Sequence, residues 1–185
     1  MHWIFFLILA YIVVLFQTTF GRALIFNMPG VGTMGPDLAA ILAVFVALRV
    51  KSGLDAMLAA WVLGLGVDLT MGGAAGAATV VGPMAVGYCL SAGLVYRVRE
   101  AFFRERVLPQ IVLVMAFCII AHGFWIVCQS LLAGATWSGF AALLIQALGL
   151  ALYTAVLTPL GHFALSKCRT WFMHAPPHRT SRLRR

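Results

Sequence analysis

The stretch PDLAAILAVFVAL, residues 36–48, decides how this chain folds. Its one charged side chain, Asp37, stands at the start behind Pro36, and Arg49 and Lys51 follow its end. Read as a helix it is short, because a bilayer crossing takes roughly 20 apolar residues. A start at Val31 would make it long enough. Five further apolar segments surround it, at 3–20, 54–70, 74–96, 109–133 and 137–163. Composition points the same way. Hydrophobic residues make up 63% of the 185 and charged residues 10%, where soluble domains average about half and a quarter. A water-soluble fold of this size could not hide so much apolar surface. That argues against a soluble enzyme, a disordered chain and a nucleic-acid-binding domain. Six helical spans would use about 120 residues. The expected fold is all-α, a polytopic membrane bundle of six transmembrane helices over residues 1–165. Residues 166–185 follow as a basic, disordered cytoplasmic tail.

Charge sets the expected orientation. The chain carries 13 Lys and Arg against five Asp and Glu, and basic residues stay on the cytoplasmic side of membrane proteins. With the N-terminus in the cytoplasm, Arg49 and Lys51, then Arg97, Arg99, Arg104 and Arg106, then the basic residues from Lys167 onward all fall inside. Only Arg22 falls outside. Twelve of the thirteen cations on one side predict six spans with both termini cytoplasmic. The first segment lacks the basic n-region and the cleavage site of a signal peptide, so it reads as a retained span. The Gly- and Pro-containing stretch 21–35 is the longest outer connection and reads as a surface loop.

Few ionisable residues fall within the spans, where they are costly and usually face a partner or a cavity. Asp37 opens the second span and Asp68 lies near the end of the third. Antiparallel spans bring both to one depth near the outer face, at the level of Arg22, Gln17 and Gln129. Asp37 suits a helix N-terminus, where free amides and the dipole favour negative charge. Asp68 sits at a helix C-terminus, which disfavours an anion, so it needs a partner: Arg22, a backbone amide of the following glycine turn, or water. His122, nearer mid-membrane, reads as a hydrogen-bonded packing residue, and His162 as a solvated residue at the inner interface. Gly72 and Gly76 form a GxxxG in a region rich in small residues, which let helices approach closely. Pro83 is expected to bend the fourth span.

No nucleophile–base constellation, HExxH or Walker motif is present, so no catalytic residue, cofactor or metal site is expected. The four cysteines, Cys89, Cys118, Cys128 and Cys168, form no CxxC pair. The basic tail is suited to anionic lipid.

Residues 36–38 (Pro-Asp-Leu) open the second segment and Arg49 ends it. Residues 64–69 (Gly-Leu-Gly-Val-Asp-Leu) close the third, followed by Gly72, Gly73 and Gly76. With a basic loop after the fourth segment and six spans, this order and spacing resembles the rod shape-determining protein MreD family. The resemblance covers residues 1–165 and not the tail. It implies a non-catalytic inner-membrane subunit of the bacterial cell-elongation complex, supporting peptidoglycan synthesis and cell shape. It implies a bundle similar to the substrate-binding subunits of energy-coupling-factor transporters. The implied partners are an MreC-like bitopic membrane protein and, indirectly, an MreB-like filament and the cell-wall synthases. Arg22, Asp37, Asp68, Gly72 and Gly76 are then candidates for structural or partner contacts. Arg97, Arg99, Arg104 and Arg106 are candidates for cytoplasmic ones. The alternative, from a different class, is a substrate-binding membrane subunit or small transporter. Asp37, Asp68, Gln129 and His122 would line its outward pocket.

Overall fold

The computed structural model describes residues 3–19, 21–28, 32–71, 81–99, 107–133 and 137–172. These hold six α helices: α1 (Trp3–Thr19), α2 (Leu38–Arg49), α3 (Gly53–Met71), α4 (Pro83–Val98), α5 (Val107–Ala133) and α6 (Trp137–Phe172). Three of them contain windows long and apolar enough to cross a membrane, Gly53–Thr70, Leu108–Leu132 and Gly139–Lys167. The chain therefore reads as an integral membrane protein. Large apolar side chains such as Ile4, Leu54, Leu131, Val156 and Leu160 cover the outside, as hydrocarbon surroundings favour.

Between α1 and α2 the structure departs from an all-helical chain. A 3-10 turn (Gly21–Leu24) leads into an antiparallel hairpin, β1 (Phe26–Met28) and β2 (Gly32–Met34), with Phe26 opposite Met34. Because 32–34 is a strand, the second apolar segment does not lengthen toward Val31 as a helix. Gly35 precedes Pro36, and a residue before proline is held out of the helical region. α2 thus has 12 residues and a length of about 18 Å, well short of the ~30 Å of hydrocarbon.

The position of α2 resolves this shortness. Every residue from Ala39 to Leu48 is buried. α2 touches α1, α3, α4, α5 and α6, and those five form a closed ring around it: α3 on α4, α4 on α5, α5 on α6, and α1 on both α3 and α6. A helix apolar on all sides belongs in a core. Ala39, Ala40, Ala43 and Ala47 keep it thin enough for five neighbours. α2 meets protein along its whole length, so it need not match the bilayer.

Two glycines set the ring spacing. A Cβ on Gly64 would stand 2.7 Å from Ala85 Cα, and one on Gly87 would stand 2.8 Å from the Ala121 carbonyl oxygen. α3 and α4, and α4 and α5, therefore meet backbone to backbone, the close approach that small residues allow in membranes. Gly72 and Gly76 lie outside the described residues.

Pro83 corrects an expectation. It does not bend a helix; it is the first residue of α4, where its missing N–H has no intrahelical partner to lose. The interior proline is Pro159, in α6. That last helix also runs on past residue 165 to Phe172.

Matched substitutions test the α3–α4 contact. Gly64→Ala should destabilise the purified protein by about 1–3 kcal/mol, the usual cost of overpacking. Gly93→Ala, whose methyl would meet only the flexible Met57 side chain at 3.4 Å, should be neutral or stabilising by up to about 1 kcal/mol, as alanine favours helix. Thermal unfolding in detergent reads both, and equal shifts would contradict the close approach.

Candidate functional site

The buried polar side chains Asp37, His122, Thr154 and Arg99 gather at the two ends of α2. Any helix leaves its first amides and last carbonyls without intrahelical partners. Away from water those groups must find partners within the protein.

At the N-terminal end, Asp37 is the N-cap, and its Oδ1 accepts the Ala40 N–H at 3.0 Å. Its Oδ2 accepts the Tyr88 hydroxyl and faces His122 Nε2 at 3.2 Å. The Asp37 N–H donates to Thr154 Oγ1 at 2.9 Å, and that hydroxyl donates to the Leu150 carbonyl. Gln17 Oε1 accepts the Ala39 N–H at 3.1 Å. α1, α4, α5 and α6 each send one side chain to this single helix start. Asp37 is only 2% exposed, and the helix dipole favours its negative charge there. An ionised carboxylate only accepts hydrogen bonds, so the His122 proton is assigned to Nε2. Tyr88 is fixed from the side by Phe117, edge to face at 5.0 Å between centroids.

Asp68 performs the same service for another helix. Its Oδ2 accepts the Gly82 N–H at 2.9 Å and the Ala85 N–H at 3.1 Å. Gly82, the N-cap of α4, has φ +124° and no side chain with which to cap. The carboxylate that is misplaced at the end of α3 is well placed at the start of α4. Asp37 and Asp68 thus serve two different helix starts. Arg22 falls in the 3-10 turn, and its side chain lies outside the described residues.

At the C-terminal end of α2, Arg99 is buried and donates from one guanidinium nitrogen to the carbonyls of Val50 and, more distantly, Ala47. A cation at this end also suits the dipole. The guanidinium lies 3.9 Å from the centroid of the Tyr96 ring, and the Tyr96 hydroxyl donates to the Lys51 carbonyl at 2.6 Å. Arg49 stacks on Phe45 at 4.1 Å. His162 was expected in solvent; it is buried, edge-on to Phe45, because its face of α6 packs against α2. Among the cytoplasmic candidates, Arg97 is exposed, Arg99 is committed to α2, and Arg104 and Arg106 lie outside the described residues.

A cavity of about 130 Å³ adjoins the Asp37 cluster, lined by residues of α4, α5 and α6 that include His122 and Trp125. Asp68 and Gln129 do not line it. Among the described residues, no three His, Cys, Asp or Glu side chains gather as a metal-ligand set.

Reading the sequence missed Tyr88, Thr154 and the inward role of Arg99. For Tyr88 and Thr154 a signal existed: hydroxyls in apolar spans require acceptors. For Arg99 there was none, since its direction depends on how α4 crosses α2.

Substitutions at the two caps should differ in size. Asp68→Ala should lower stability by about 0.5–2 kcal/mol, the cost of an N-cap, with Asp68→Asn recovering most of it. Asp37→Ala should cost more, because Tyr88 and His122 also lose their acceptor, at about 1–3 kcal/mol for each buried group left unpaired. Thermal unfolding orders the three variants, and an Asp37→Ala loss no larger than that of Asp68→Ala would contradict the network.

Comparison of the chain with models of known protein families, with curated proteins and with solved structures returns no match.

Proposed function

We propose that the chain is a non-catalytic integral membrane scaffold subunit, similar to the MreD family, that crosses the bacterial inner membrane six times with both termini in the cytoplasm. The observation that carries this reading is how the interior charges are used. Asp37, Asp68 and Arg99 each complete a helix end of the same chain. Such an interior is suited to holding six helices in a fixed arrangement, which is what a subunit presenting its outer faces to partners requires. The twelve-to-one division of basic residues supports the six crossings.

Under this reading an MreC-like bitopic protein is the direct partner, and an MreB-like filament and the cell-wall synthases are indirect ones. The hairpin and the segment joining α3 to α4 are on the outer side, available to a partner's juxtamembrane chain. Arg97 and the basic tail face the cytoplasm, where the tail attracts anionic lipid. A substrate-binding subunit is less favoured. Of its four candidate residues, only His122 lines the cavity described above, which is smaller than the roughly 300–1,000 Å³ of ordinary ligand pockets.

Two measurements test the reading. Reporter fusions should place positions 51 and 185 in the cytoplasm and position 30 outside. Affinity purification from native membranes after mild cross-linking should recover an MreC-like protein and wall-synthesis enzymes. Recovery of ATPase subunits in their place would overturn the scaffold reading.

A further inference from the structure

The five helices around α2 are short on one side of the ring and long on the other. α1, α3 and α4 stand together, with α3 touching both of the others. α1 has 17 residues, α4 has 16, and the apolar window of α3 has 18. At 1.5 Å per residue these measure about 24–27 Å, less than the ~30 Å of an ordinary hydrocarbon layer. The apolar windows of α5 and α6 have 25 and 29 residues, about 37 and 43 Å. A long helix can tilt into a thinner layer, but a short one cannot stretch across a thicker one. The borders of the short side are polar. Thr19 and Thr70 are exposed at its outer edge, and Lys51 and Arg97 at its inner edge.

Two aromatic side chains on the same side add an independent observation. Tyr and Trp settle at the membrane–water interface, where the ring and its polar tip are both accommodated. Tyr11 is the ninth of the 17 residues of α1 and is 69% exposed. Trp61 is the ninth of the 19 residues of α3 and is 42% exposed. Both stand at mid-height on the outside, as far from either interface as these helices allow.

We propose that the bilayer thins to roughly 25 Å against α1, α3 and α4, so that the lipid this face takes is one with short acyl chains. Thinning brings the Tyr11 hydroxyl and the Trp61 indole nearer to headgroups and water. It also brings Lys51 and Arg97 to headgroup level. α5 and α6 keep the opposite side at ordinary thickness. The inference rests on the crossing of α1, α3 and α4 in the reading above.

The test reconstitutes the full-length protein, one copy per nanodisc, in phosphatidylcholines whose monounsaturated chains run from fourteen to twenty-two carbons. One copy per disc leaves only lipid to cover the short side. The unfolding temperature should peak at fourteen or sixteen carbons and fall by about 3–6 °C toward twenty-two, as a few ångströms of mismatch accumulate. Tyr11→Leu should raise the unfolding temperature in the longest chains and leave it unchanged in the shortest. An optimum at eighteen carbons or longer, or an equal effect of Tyr11→Leu at both ends of the series, would overturn the proposal. Reporter fusions at positions 30 and 51 test the crossings separately. A long-chain optimum with those fusions as expected removes the thinning and leaves the six spans.

Discussion

A helix of 12 residues, α2, is surrounded by five others, and its two caps, Asp37 and Val50, are both buried. Its exposed backbone groups must therefore be satisfied by side chains from elsewhere in the chain. A buried amide or carbonyl without a partner costs about 1–3 kcal/mol, so several of them would offset much of the stability of a small domain. The placement of the other helices follows from this need. α1 brings Gln17, α4 brings Tyr88 and Arg99, α5 brings His122 and α6 brings Thr154. Each of these side chains links its helix to α2 as well as satisfying a backbone group or the cap.

The same economy explains how so few charges suffice. The chain has five acidic residues, and two of them, Asp37 and Asp68, cap helices within the bundle. Each sits where the helix dipole and free amides compensate for its removal from water. The cation Arg99 is used in the mirror sense at the opposite end of α2, with its guanidinium plane covered by Tyr96. Asp37, Asp68 and Arg99 each act through hydrogen bonds to backbone groups at helix ends. His122 also meets Asp37, which ties α5 to the start of α2 and places an imidazole in the wall of the neighbouring cavity.

Much of the fold was legible. The apolar segments place the six helices, since hydrocarbon-facing helices are marked by long runs with few charges, and the ends agree closely except where α4 starts at Pro83 and α6 runs on to Phe172. Asp37 after Pro36 was legible as a helix start because capping is local. Pro83 misled because the position of a proline within an apolar run does not say whether the helix has already begun. His162 misled because a residue near the end of a span can turn toward the core or toward the interface with equal local chemistry. The hairpin before α2 was hidden for a similar reason, as its glycines and proline are consistent with any turn.

By itself the sequence determined that the chain belongs in a membrane and how many apolar segments it has. These depend on transfer free energies that sum residue by residue along the chain. Only the tertiary structure decided that the shortest segment is the central helix, that Asp68 caps the start of α4, and that Arg99 turns inward to α2. Those outcomes depend on which helix ends meet in space, and a hydrogen bond between residues 14 to 117 positions apart leaves no periodic trace in the sequence.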